Sequence, residues 1–451
     1  MNNKTVAFHT LGCKVNSYDT EAMMEIFEKA GYRIVGFAEY ADVYVVNTCT
    51  VTHLGDRKSR NMMRKARRTN PDAVIVAVGC YVQVAPDEVQ AIEEVDLIIG
   101  TKNRADIVAD IEAYQKDKTQ NNFVSDIMRE HHYEDLNITE TKGKTRAFLK
   151  VQEGCNQFCT YCIVPFARGP VRSRPVDAVL SEVKRVAAHG YAEVVLTGIH
   201  IASYGVDLED GVDLLSLIRA VDKVEGVKRI RLGSLEPLLL TEEFVQGLSE
   251  VRAFCPHFHL SLQSGCDTVL SRMGRKYTTA QYAEIVKRVR RAFDYPAITT
   301  DIMVGFPGET EEEFEATLAF VEQIHFYQVH VFKYSRRKGT KADAFQGQVP
   351  EEIKTERSHR LTQRARACEQ DFLKANAGRT VPVLYERAKE EGVYEGHTDN
   401  YIPVVLKTIE KMNGKIIETE LLYKESEFHM TGLLNEKGER LCLKIVSFVK
   451  S

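Results

Sequence analysis

Short apolar stretches alternate with amphipathic ones along the first quarter of the chain. The apolar stretches have strand length, and the amphipathic ones repeat their apolar positions every three to four residues, as a helix packed on a sheet does. This alternation predicts an open, mostly parallel α/β domain over residues 2–113. The predicted strands are Thr5–Phe8, Val43–Val46, Ala73–Val78 and Asp96–Ile99, and the predicted helices are Ser17–Ala30, Arg57–Arg68 and one that begins at Arg104.

A second alternating series occupies residues 141–371, after a polar stretch over 114–140 that shows no sustained period and predicts a linker. Six strands separated by helical patterns predict a partial (β/α)6 barrel. The site of such a barrel lies at the carboxyl ends of its strands. The predicted strands are Ala147–Val151, Glu193–Leu196, Arg229–Leu232, Phe258–Leu262, Ile298–Met303 and Gln328–Phe332.

The pattern changes over residues 374–442, where short strands are joined by Gly, Asn and Asp turns. They predict a small β-barrel of the oligonucleotide-binding type. Acidic and basic residues are nearly balanced in this tail, so a nucleic-acid role for it rests on its fold alone. The predicted strands are Val381–Leu384, Val393–His397, Ile402–Leu406, Lys415–Glu420 and Phe428–Leu433.

Composition narrows the class of protein. The chain has 451 residues, and 60 Lys and Arg against 64 Asp and Glu give a net charge of −4, so any site for a polyanion must be a local patch. No apolar run approaches the length of a membrane span, and the amino terminus enters a strand pattern without an apolar leader. We therefore expect a soluble cytoplasmic protein that contacts no membrane. Ten cysteines in a reduced chain of this size indicate metal or redox chemistry rather than disulfides.

Three of these cysteines follow the first predicted barrel strand. They are Cys155, Cys159 and Cys162, a Cys-x3-Cys-x2-Cys spacing that suits a metal or an iron–sulfur cluster. A structural zinc site takes four protein ligands, and no fourth Cys or His lies between Gly143 and Ala188. The spacing favours a four-iron cluster with one iron open to a small molecule. The alternative is a zinc loop completed from elsewhere.

Three other cysteines share a context instead of a spacing. Cys13, Cys49 and Cys80 each follow a predicted strand of the first domain. Because the carboxyl ends of parallel strands share one edge of a sheet, these thiols are predicted to meet and to bind a second cluster. The alternative is that each is an inert buried cysteine. The remaining cysteines and the histidines show no spacing typical of metal ligands.

The Cys-x3-Cys-x2-Cys motif, with Tyr161 before its last cysteine, resembles the radical S-adenosylmethionine superfamily. Together with the segment Thr10–Met23, it makes the whole chain resemble the methylthiotransferases, radical enzymes that carry two four-iron clusters. Further stretches carry the same resemblance, and the tail resembles the TRAM domain, an RNA-binding β-barrel. These stretches are Val45–Cys49, Glu153–Arg174, Leu196–Gly198, Ser234–Pro237, Leu260–Gly265, Asp301–Glu309 and Tyr334–Thr340.

The resemblance implies a role for each part of the chain. Residues 2–113 would carry an auxiliary 4Fe-4S cluster on Cys13, Cys49 and Cys80, and residues 141–371 would be the radical core, with its 4Fe-4S cluster on Cys155, Cys159 and Cys162. S-adenosyl-L-methionine bound at the open iron would yield a 5′-deoxyadenosyl radical. Such chemistry suits an unactivated C–H bond, which has no usable acidity. An electron donor such as flavodoxin or ferredoxin is also implied.

Strand-end residues of the barrel are candidates for binding S-adenosylmethionine. Glycines there allow close backbone approach, and a carboxylate accepts bonds from ribose hydroxyls or the amino group. The alternatives are an ordinary turn at Gly305–Gly308 and a helix-capping role for Glu236. The candidates are Tyr161, Gly198, Ser234, Glu236, Gln263 and Gly305.

An arginine stripe lies on the second predicted helix of the first domain. Arg57, Arg60, Arg64 and Arg68 recur at helical spacing, with no acidic residue between Asp56 and Asp72. A solvated charged face is the usual explanation. Because this helix follows Cys49 directly, we interpret the stripe as a phosphate-binding surface for RNA. A second basic cluster, which includes Arg336, Arg337 and Lys338, is a weaker candidate.

The resembled family acts on three substrates: tRNA adenosine 37 bearing threonylcarbamoyl, the same adenosine bearing isopentenyl, and an aspartate of a ribosomal protein. The segment Gly12–Asp19 looks most like the threonylcarbamoyl branch. The predicted reaction is methylthiolation of tRNA, replacing C2–H of N6-threonylcarbamoyladenosine 37 with C2–SCH3. Two other classes stay open: a non-catalytic iron–sulfur sensor that binds RNA, and a zinc-binding RNA module.

Overall fold

The amino-terminal part of the molecule is a six-stranded parallel sheet flanked by helices. The computed structural model describes residues 4–117, 122–139, 144–209, 211–425 and 427–434. The first strands are β1 (Thr5–Thr10), β2 (Arg33–Val35), β3 (Val43–Thr48), β4 (Val74–Gly79), β5 (Leu97–Ile99) and β6 (Asn122–Phe123), and the helices are α1 (Lys14–Lys29), α2 (His53–Thr69), α3 (Cys80–Val84), α4 (Pro86–Gln90) and α5 (Ile107–Asp117). The strand order is β2-β1-β3-β4-β5-β6, and every pair is parallel.

The apolar runs of the sequence form the centre of this sheet. Every residue of β3 and β4 is buried, as expected for strands covered by helices on both faces. Helix α2 begins after Thr52, whose side chain accepts the N–H of Gly55, and it buries Met63 and Ala66. Helix α1 begins at Lys14, earlier than predicted, with extended Cys13 as its N-cap residue. The predicted open parallel α/β fold is confirmed.

The segment predicted as a linker is packed against its neighbours. Its first residues complete α5, and β6 pairs with β5 to extend the first sheet. Further on, Leu136 and Ile138 are buried together with Tyr18 of α1, and Glu134 accepts a hydrogen bond from Nε of Arg104 at 2.9 Å. A few anchoring side chains hold this connection, which is why its polar sequence carries no period.

The central part of the molecule is the predicted partial barrel. Its six parallel strands are β7 (Arg146–Glu153), β9 (Glu193–Gly198), β10 (Arg229–Leu232), β11 (His257–His259), β12 (Ala297–Val304) and β13 (Gln328–Lys333), and β8 (Arg172–Ser173) pairs antiparallel with β7. The helices are α6 (Val164–Arg168), α7 (Val176–Ala188), α8 (Leu214–Asp222), α9 (Glu242–Ser249), α10 (Asp267–Met273), α11 (Thr279–Ala292), α12 (Glu311–Ile324) and α13 (Glu351–Ala375).

Two sheets make up the barrel wall, in the orders β10-β9-β7-β8 and β11-β12-β13. Isolated parallel bridges, Ile230 to Phe254 and Leu235 to Leu260, connect them. Alternate strand residues such as Ala147 and Leu149 pack outward into one large apolar core with the surrounding helices. The residues between them face the lumen. All six predicted strands are present, and β11 is shorter than predicted.

The carboxy-terminal part is a closed five-stranded barrel in the order β14-β15-β16-β18-β17. It lies at the amino ends of the central strands, where Arg231 of β10 donates to the carbonyl oxygen of Asp399 at 2.8 Å and packs its guanidinium 4.7 Å from the Tyr401 ring centroid. Residues 435–442 of the predicted TRAM-like domain lie outside the described residues. The strands are β14 (Thr380–Glu390), β15 (Val393–Thr398), β16 (Pro403–Lys407), β17 (Ile416–Leu422) and β18 (Met430–Leu434).

Within the described ranges, none of the helices combines the length and apolar character that crossing a membrane requires.

Candidate functional site

The first cysteine motif forms a loop between β7 and α6, at the carboxyl end of the first barrel strand. We name Cys155, Cys159 and Cys162 the barrel trio. The loop begins at Gly154, which has φ 76° and where a Cβ would lie 1.7 Å from the carbonyl oxygen of Pro170, so that only glycine fits. Further along, the N–H of Thr160 donates to the carbonyl oxygen of Met273 at 2.9 Å. The backbone of the loop is thus fixed on two sides.

The barrel trio lies in an enclosed setting that disfavours free thiolates. Burial raises the pKa of the Cys155 thiol to about 11 and that of Cys162 to about 12. One cation stands beside the trio, because Nη1 of Arg275 lies 3.5 Å from Sγ of Cys159. Three half-buried sulfur ligands with one neighbouring cation are suited to a metal centre that keeps them deprotonated.

Two predicted cofactor-binding residues lie around this trio. Glu236 accepts a hydrogen bond from Nη2 of Arg275 at 2.7 Å, so a single arginine connects the carboxylate to Cys159. The ring of Tyr161 contacts Phe306, with 6.5 Å between the ring centroids. Glu236 is therefore positioned by an ion pair, and no cap hydrogen bond from its side chain is present.

The remaining predicted cofactor-binding residues lie at the ends of the barrel strands. Gly198 ends β9, where a Cβ would lie 2.7 Å from Oε1 of Gln152, and Ser234 is exposed beyond β10. Gln263 has φ 72°. The N–H of Gly305 is already bonded to Glu309 Oε2 at 2.6 Å, which favours the ordinary-turn alternative for that glycine.

The second set of cysteines converges at the carboxyl edge of the first sheet. We name Cys13, Cys49 and Cys80 the sheet trio. Each follows the strand that the sequence predicts, β1, β3 or β4. The turn before Cys13 touches Cys49, since a Cβ on Gly12 would lie 3.1 Å from Cys49 Sγ. Burial, with smaller contributions from the other two thiols, raises the pKa of Cys49 to about 11. The three cysteines therefore lie at the same edge of the sheet, and their binding of a cluster stays a prediction.

One buried arginine connects the sheet trio to the barrel. Arg168 ends α6, the five-residue helix that follows the barrel trio, and its Nε donates to Cys80 Sγ at 3.2 Å. Its Nη1 lies 2.9 Å from Asp19 Oδ2, and it also bonds Glu153 and Asn16. The two trios therefore lie on either side of α6. The sequence analysis did not identify Arg168, although an arginine at the end of a short apolar helix can indicate a buried charge.

The sulfur atoms of each trio do not surround a single point. In the part of the chain that the structure describes, neither trio forms a group of donor atoms all within 4.8 Å of one another. A mononuclear zinc site needs its ligands around one point, whereas thiolates on an iron–sulfur cube bind different corners. The nine described cysteines are all free. Among the described residues, the separation of the sulfur atoms thus disfavours a single zinc ion, and a donor set of three thiols is of the kind that holds an iron–sulfur cluster.

A polar cluster in the barrel lumen was also missed. His259, Asp301 and His330 bring donor atoms within 4.8 Å of one another, with 3.2 Å between His259 Nε2 and Asp301 Oδ2. They come from β11, β12 and β13. Residues on three separate strands have no spacing that a sequence pattern reveals.

The arginine stripe of α2 divides into two kinds of residue. Arg60 donates to the Tyr81 hydroxyl at 2.8 Å, and Arg64 lies 3.7 Å from Glu94. Arg57 and Arg68 are exposed, and neither has a hydrogen bond or ion pair with any described residue. Arg57, Arg64 and Arg68 are exposed on the outward side of the helix, whereas Arg60 is half-buried on the side toward Tyr81.

The second basic cluster contains a residue with a different role. Arg337 is buried and lies 2.6 Å from Asp56 Oδ2 and 2.6 Å from Thr50 Oγ1. It holds the loop after β13 against the start of α2. The interpretation of Arg337 as part of a phosphate-binding surface is therefore wrong, because a buried acidic partner already neutralises it.

Comparison with known proteins identifies the class. Residues 149–321 match the family model of the radical SAM superfamily, and residues 5–100 match that of uncharacterized protein family UPF0004. The fold is similar to that of the radical S-adenosylmethionine methyltransferase TsrM from Kitasatospora setae, with a TM-score of 0.56, 16% identity and coverage of 75% of this chain and 77% of that one. The chain is thus a radical S-adenosylmethionine protein.

Sequence relatives narrow the class to a family. The chain is 44% identical to the threonylcarbamoyladenosine tRNA methylthiotransferase MtaB of Bacillus subtilis (strain 168), over 94% of this chain and 96% of the relative. It is 34% identical to the tRNA-2-methylthio-N(6)-dimethylallyladenosine synthase of Staphylococcus aureus (strain MRSA252), over 93% of this chain and 83% of that protein. The chain belongs to the tRNA methylthiotransferase family.

Proposed function

We propose that this protein is an enzyme that replaces C2–H of N6-threonylcarbamoyladenosine at position 37 of tRNA with C2–SCH3. The observation that carries the proposal is the convergence of two cysteine trios on either side of α6. Identity of 44% to a threonylcarbamoyladenosine tRNA methylthiotransferase, over nearly the whole of both chains, supports the choice of substrate. The cofactors of this family are two 4Fe-4S clusters and S-adenosyl-L-methionine.

Each trio holds one cluster in this proposal. The sheet trio binds the auxiliary cluster, and the barrel trio binds the cluster that takes S-adenosylmethionine. When bound, these groups supply sulfur transfer and the radical that activates an unreactive C–H bond. Tyr161, Glu236 and Arg275 line the cofactor side, where the Glu236 carboxylate is positioned to accept hydrogen bonds from an amino or hydroxyl group.

The protein contributes orientation and protection from water. Asp19, Glu153 and Arg168 are fully buried between the sheet and the barrel. They fix α1 against β7, and so hold the two trios at a constant separation. A reaction that generates a radical needs such a closed setting, because water and stray hydrogen donors would otherwise quench it.

Cleavage of S-adenosylmethionine to the 5′-deoxyadenosyl radical would need one electron from outside the chain, supplied by a small redox protein such as flavodoxin or ferredoxin. The proposed location of this enzyme is the cytoplasm, where tRNA is modified.

The proposed contact with tRNA includes the exposed arginines of α2 and the carboxy-terminal barrel. Arg57 is exposed in the second turn of the helix that follows Cys49, and so lies near the proposed site of sulfur transfer. Arg68 is exposed near the far end of the same helix, about 16 Å further along its axis. Phosphates of the anticodon loop are the polyanion that such a patch binds. Arg60 and Arg64 support this surface through Tyr81 and Glu94.

Replacing Arg57 and Arg68 together with alanine is expected to weaken tRNA binding and its salt dependence. Each phosphate contact to a single strand contributes about 0.7 to the slope of log K against log salt, so the slope falls by about 1.4. Fluorescence anisotropy with labelled tRNA over a salt series measures it. Arg291→Ala, a side chain 65% exposed at the end of α11, is the matched control. An unchanged slope in the double variant removes the proposed surface.

Analysis of tRNA nucleosides by mass spectrometry tests the substrate. A strain lacking the protein is expected to lose the 2-methylthio group from threonylcarbamoyladenosine and to keep it on isopentenyladenosine. The opposite loss would establish the second candidate function, which the 34% identity to a dimethylallyladenosine synthase supports. If both nucleosides keep the 2-methylthio group and the ribosomal-protein aspartate of that strain is unmodified, the protein acts on the ribosomal protein instead of on tRNA.

Cleavage of S-adenosylmethionine separates an enzyme from a sensor. Anaerobically reconstituted protein with dithionite is expected to form 5′-deoxyadenosine. A non-catalytic iron–sulfur protein that binds RNA has no reason to do so.

A further inference from the structure

Among the described residues, the Lys14 ammonium in the barrel lumen has neither a hydrogen-bond partner nor an ion pair. Lys14 follows Cys13 as the first residue of α1, and its Nζ lies 5.8 Å from the ring centroid of Phe148. Phe148 alternates with the outward-packed Ala147 and Leu149, so it faces the lumen. The Lys14 side chain is exposed.

The other side of this space is formed by β13. Val329 and Val331 pack against the barrel core, so the alternate residues His330 and Phe332 point the other way and are exposed. The Phe332 side chain is 51% exposed. The His330 ring centroid lies 5.7 Å from that of His259, and both rings face the lumen that Phe148 and Lys14 border from the side of β7.

The other charged groups around the lumen are already paired. Arg231 lies 2.8 Å from Glu193, and Arg146 lies 3.2 Å from Glu386. Asp301 is 3.2 Å from His259 Nε2, and Lys150 is 2.7 Å from Asp19. Within the residues that the structure describes, this leaves the Lys14 ammonium as the lumen charge that is available to a ligand.

We propose that Lys14 binds the carboxylate of the threonylcarbamoyl group, while the exposed ring of Phe332 offers a stacking face to the adenine. The proposal rests on the proposed function and adds a determinant of its substrate choice. An ammonium without an ion-pair partner in a partly enclosed space attracts an anion. An aromatic face stacks on a base whichever hydrogen-bonding groups that base carries. Threonylcarbamoyladenosine carries a carboxylate and isopentenyladenosine carries no charge, so Lys14 favours the former. Its neighbour Cys13 places this contact beside the proposed auxiliary cluster.

The test uses the reconstituted full-length protein and two tRNAs, one with threonylcarbamoyladenosine at position 37 and one with its neutral methyl ester. A charge-assisted hydrogen bond is worth about tenfold or more in affinity. The wild-type protein is expected to bind the acid about tenfold more tightly than the ester. Lys14→Met is expected to bind both tRNAs with the affinity that the wild-type protein shows for the ester. Lys14→Arg is expected to bind the acid more tightly than the ester, as the wild-type protein does. Lys29→Met, at the exposed carboxyl end of the same helix, is the matched control and keeps it.

Two further readouts separate recognition from structural damage. Lys14→Met is expected to retain its full iron content and its cleavage of S-adenosylmethionine. If the variant loses iron, Lys14 supports the cluster and the proposal is overturned. It is also overturned if Lys14→Met keeps the preference for the acid. Failure of the proposed function looks different, because the wild-type protein itself would then modify neither tRNA or only isopentenyladenosine tRNA.

Discussion

Alanine at Cys13, Cys49 and Cys80 is expected to lower the iron content from about eight to about four per chain, since each four-iron cluster loses its ligands independently. Methylthiolation should disappear. Cleavage of S-adenosylmethionine to 5′-deoxyadenosine should persist, because the barrel trio and its neighbours Glu236 and Arg275 are untouched. Iron analysis, nucleoside analysis and quantification of 5′-deoxyadenosine on the same anaerobic sample measure the three effects.

The variant that removes the barrel trio should differ from the sheet-trio variant in its cleavage of S-adenosylmethionine. Alanine at the barrel trio should also leave about four irons, but both cleavage of S-adenosylmethionine and methylthiolation should be lost. Cys266→Ala, a half-buried free thiol outside both trios, is the matched control and should keep about eight irons. A wild-type protein with about four irons, or a sheet-trio variant with about eight, would contradict the two-cluster arrangement.

Arg168→Met is expected to destabilise the protein by about 3–5 kcal/mol, because it leaves buried carboxylates without their cation. Arg168 contacts Asp19, Glu153 and Asn16 at full burial, and it also donates to Cys80. The variant should also lose the auxiliary cluster before the barrel cluster. Chemical denaturation and iron analysis under anaerobic conditions measure both effects.

Arg129→Ala is the control for Arg168→Met. Its ion pair with Asp126, at 3.1 Å, lies on the surface with 88% and 58% of the two side chains exposed. A surface pair contributes less than about 1 kcal/mol, so this variant should unfold nearly as the wild type does. Equal stability of the two variants would show that the buried network is not what holds the sheet to the barrel.

The same network determines a response to acid. Burial alone would raise the pKa of Asp19 and Glu153, but the surrounding cations Arg104, Lys150 and Arg168 lower the pKa of both carboxyls below their ordinary values. Carboxyls with depressed pKa values stabilise the folded state above the unfolded values, and this stability is lost as pH falls below about 4.5. The loss should be smaller in Arg168→Met, where the pKa values are less depressed.

Much of the fold follows from local patterns. The fully apolar runs that became β3 and β4 identified a sheet covered on both faces, and turn residues separated the strands of the final barrel. Other elements did not follow from a local pattern. Strand β6 lies in a polar stretch, and its pairing with β5 depends on packing that no period records.

The candidate site also contains residues that local sequence patterns predicted and residues that they did not. The Cys-x3-Cys-x2-Cys motif identified the barrel trio, and the rule that parallel strands end at one edge predicted that the sheet trio would meet. The partners of those cysteines, Arg168 and Arg275, were not predicted. Arg337 was assigned to a phosphate surface and instead bonds Asp56 and Thr50 in the interior.

The amino-acid sequence by itself determined the order of the elements and the kinds of ligand, because periodicity, turn chemistry and cysteine spacing act over a few residues. Tertiary structure alone decided which charges are neutralised and which stay available. Arg168 reaches Asp19 from 149 positions away along the chain, and Lys14 reaches the Phe148 ring only because α1 packs against β7. Such pairings depend on how separate elements pack, and packing is a property of the whole chain.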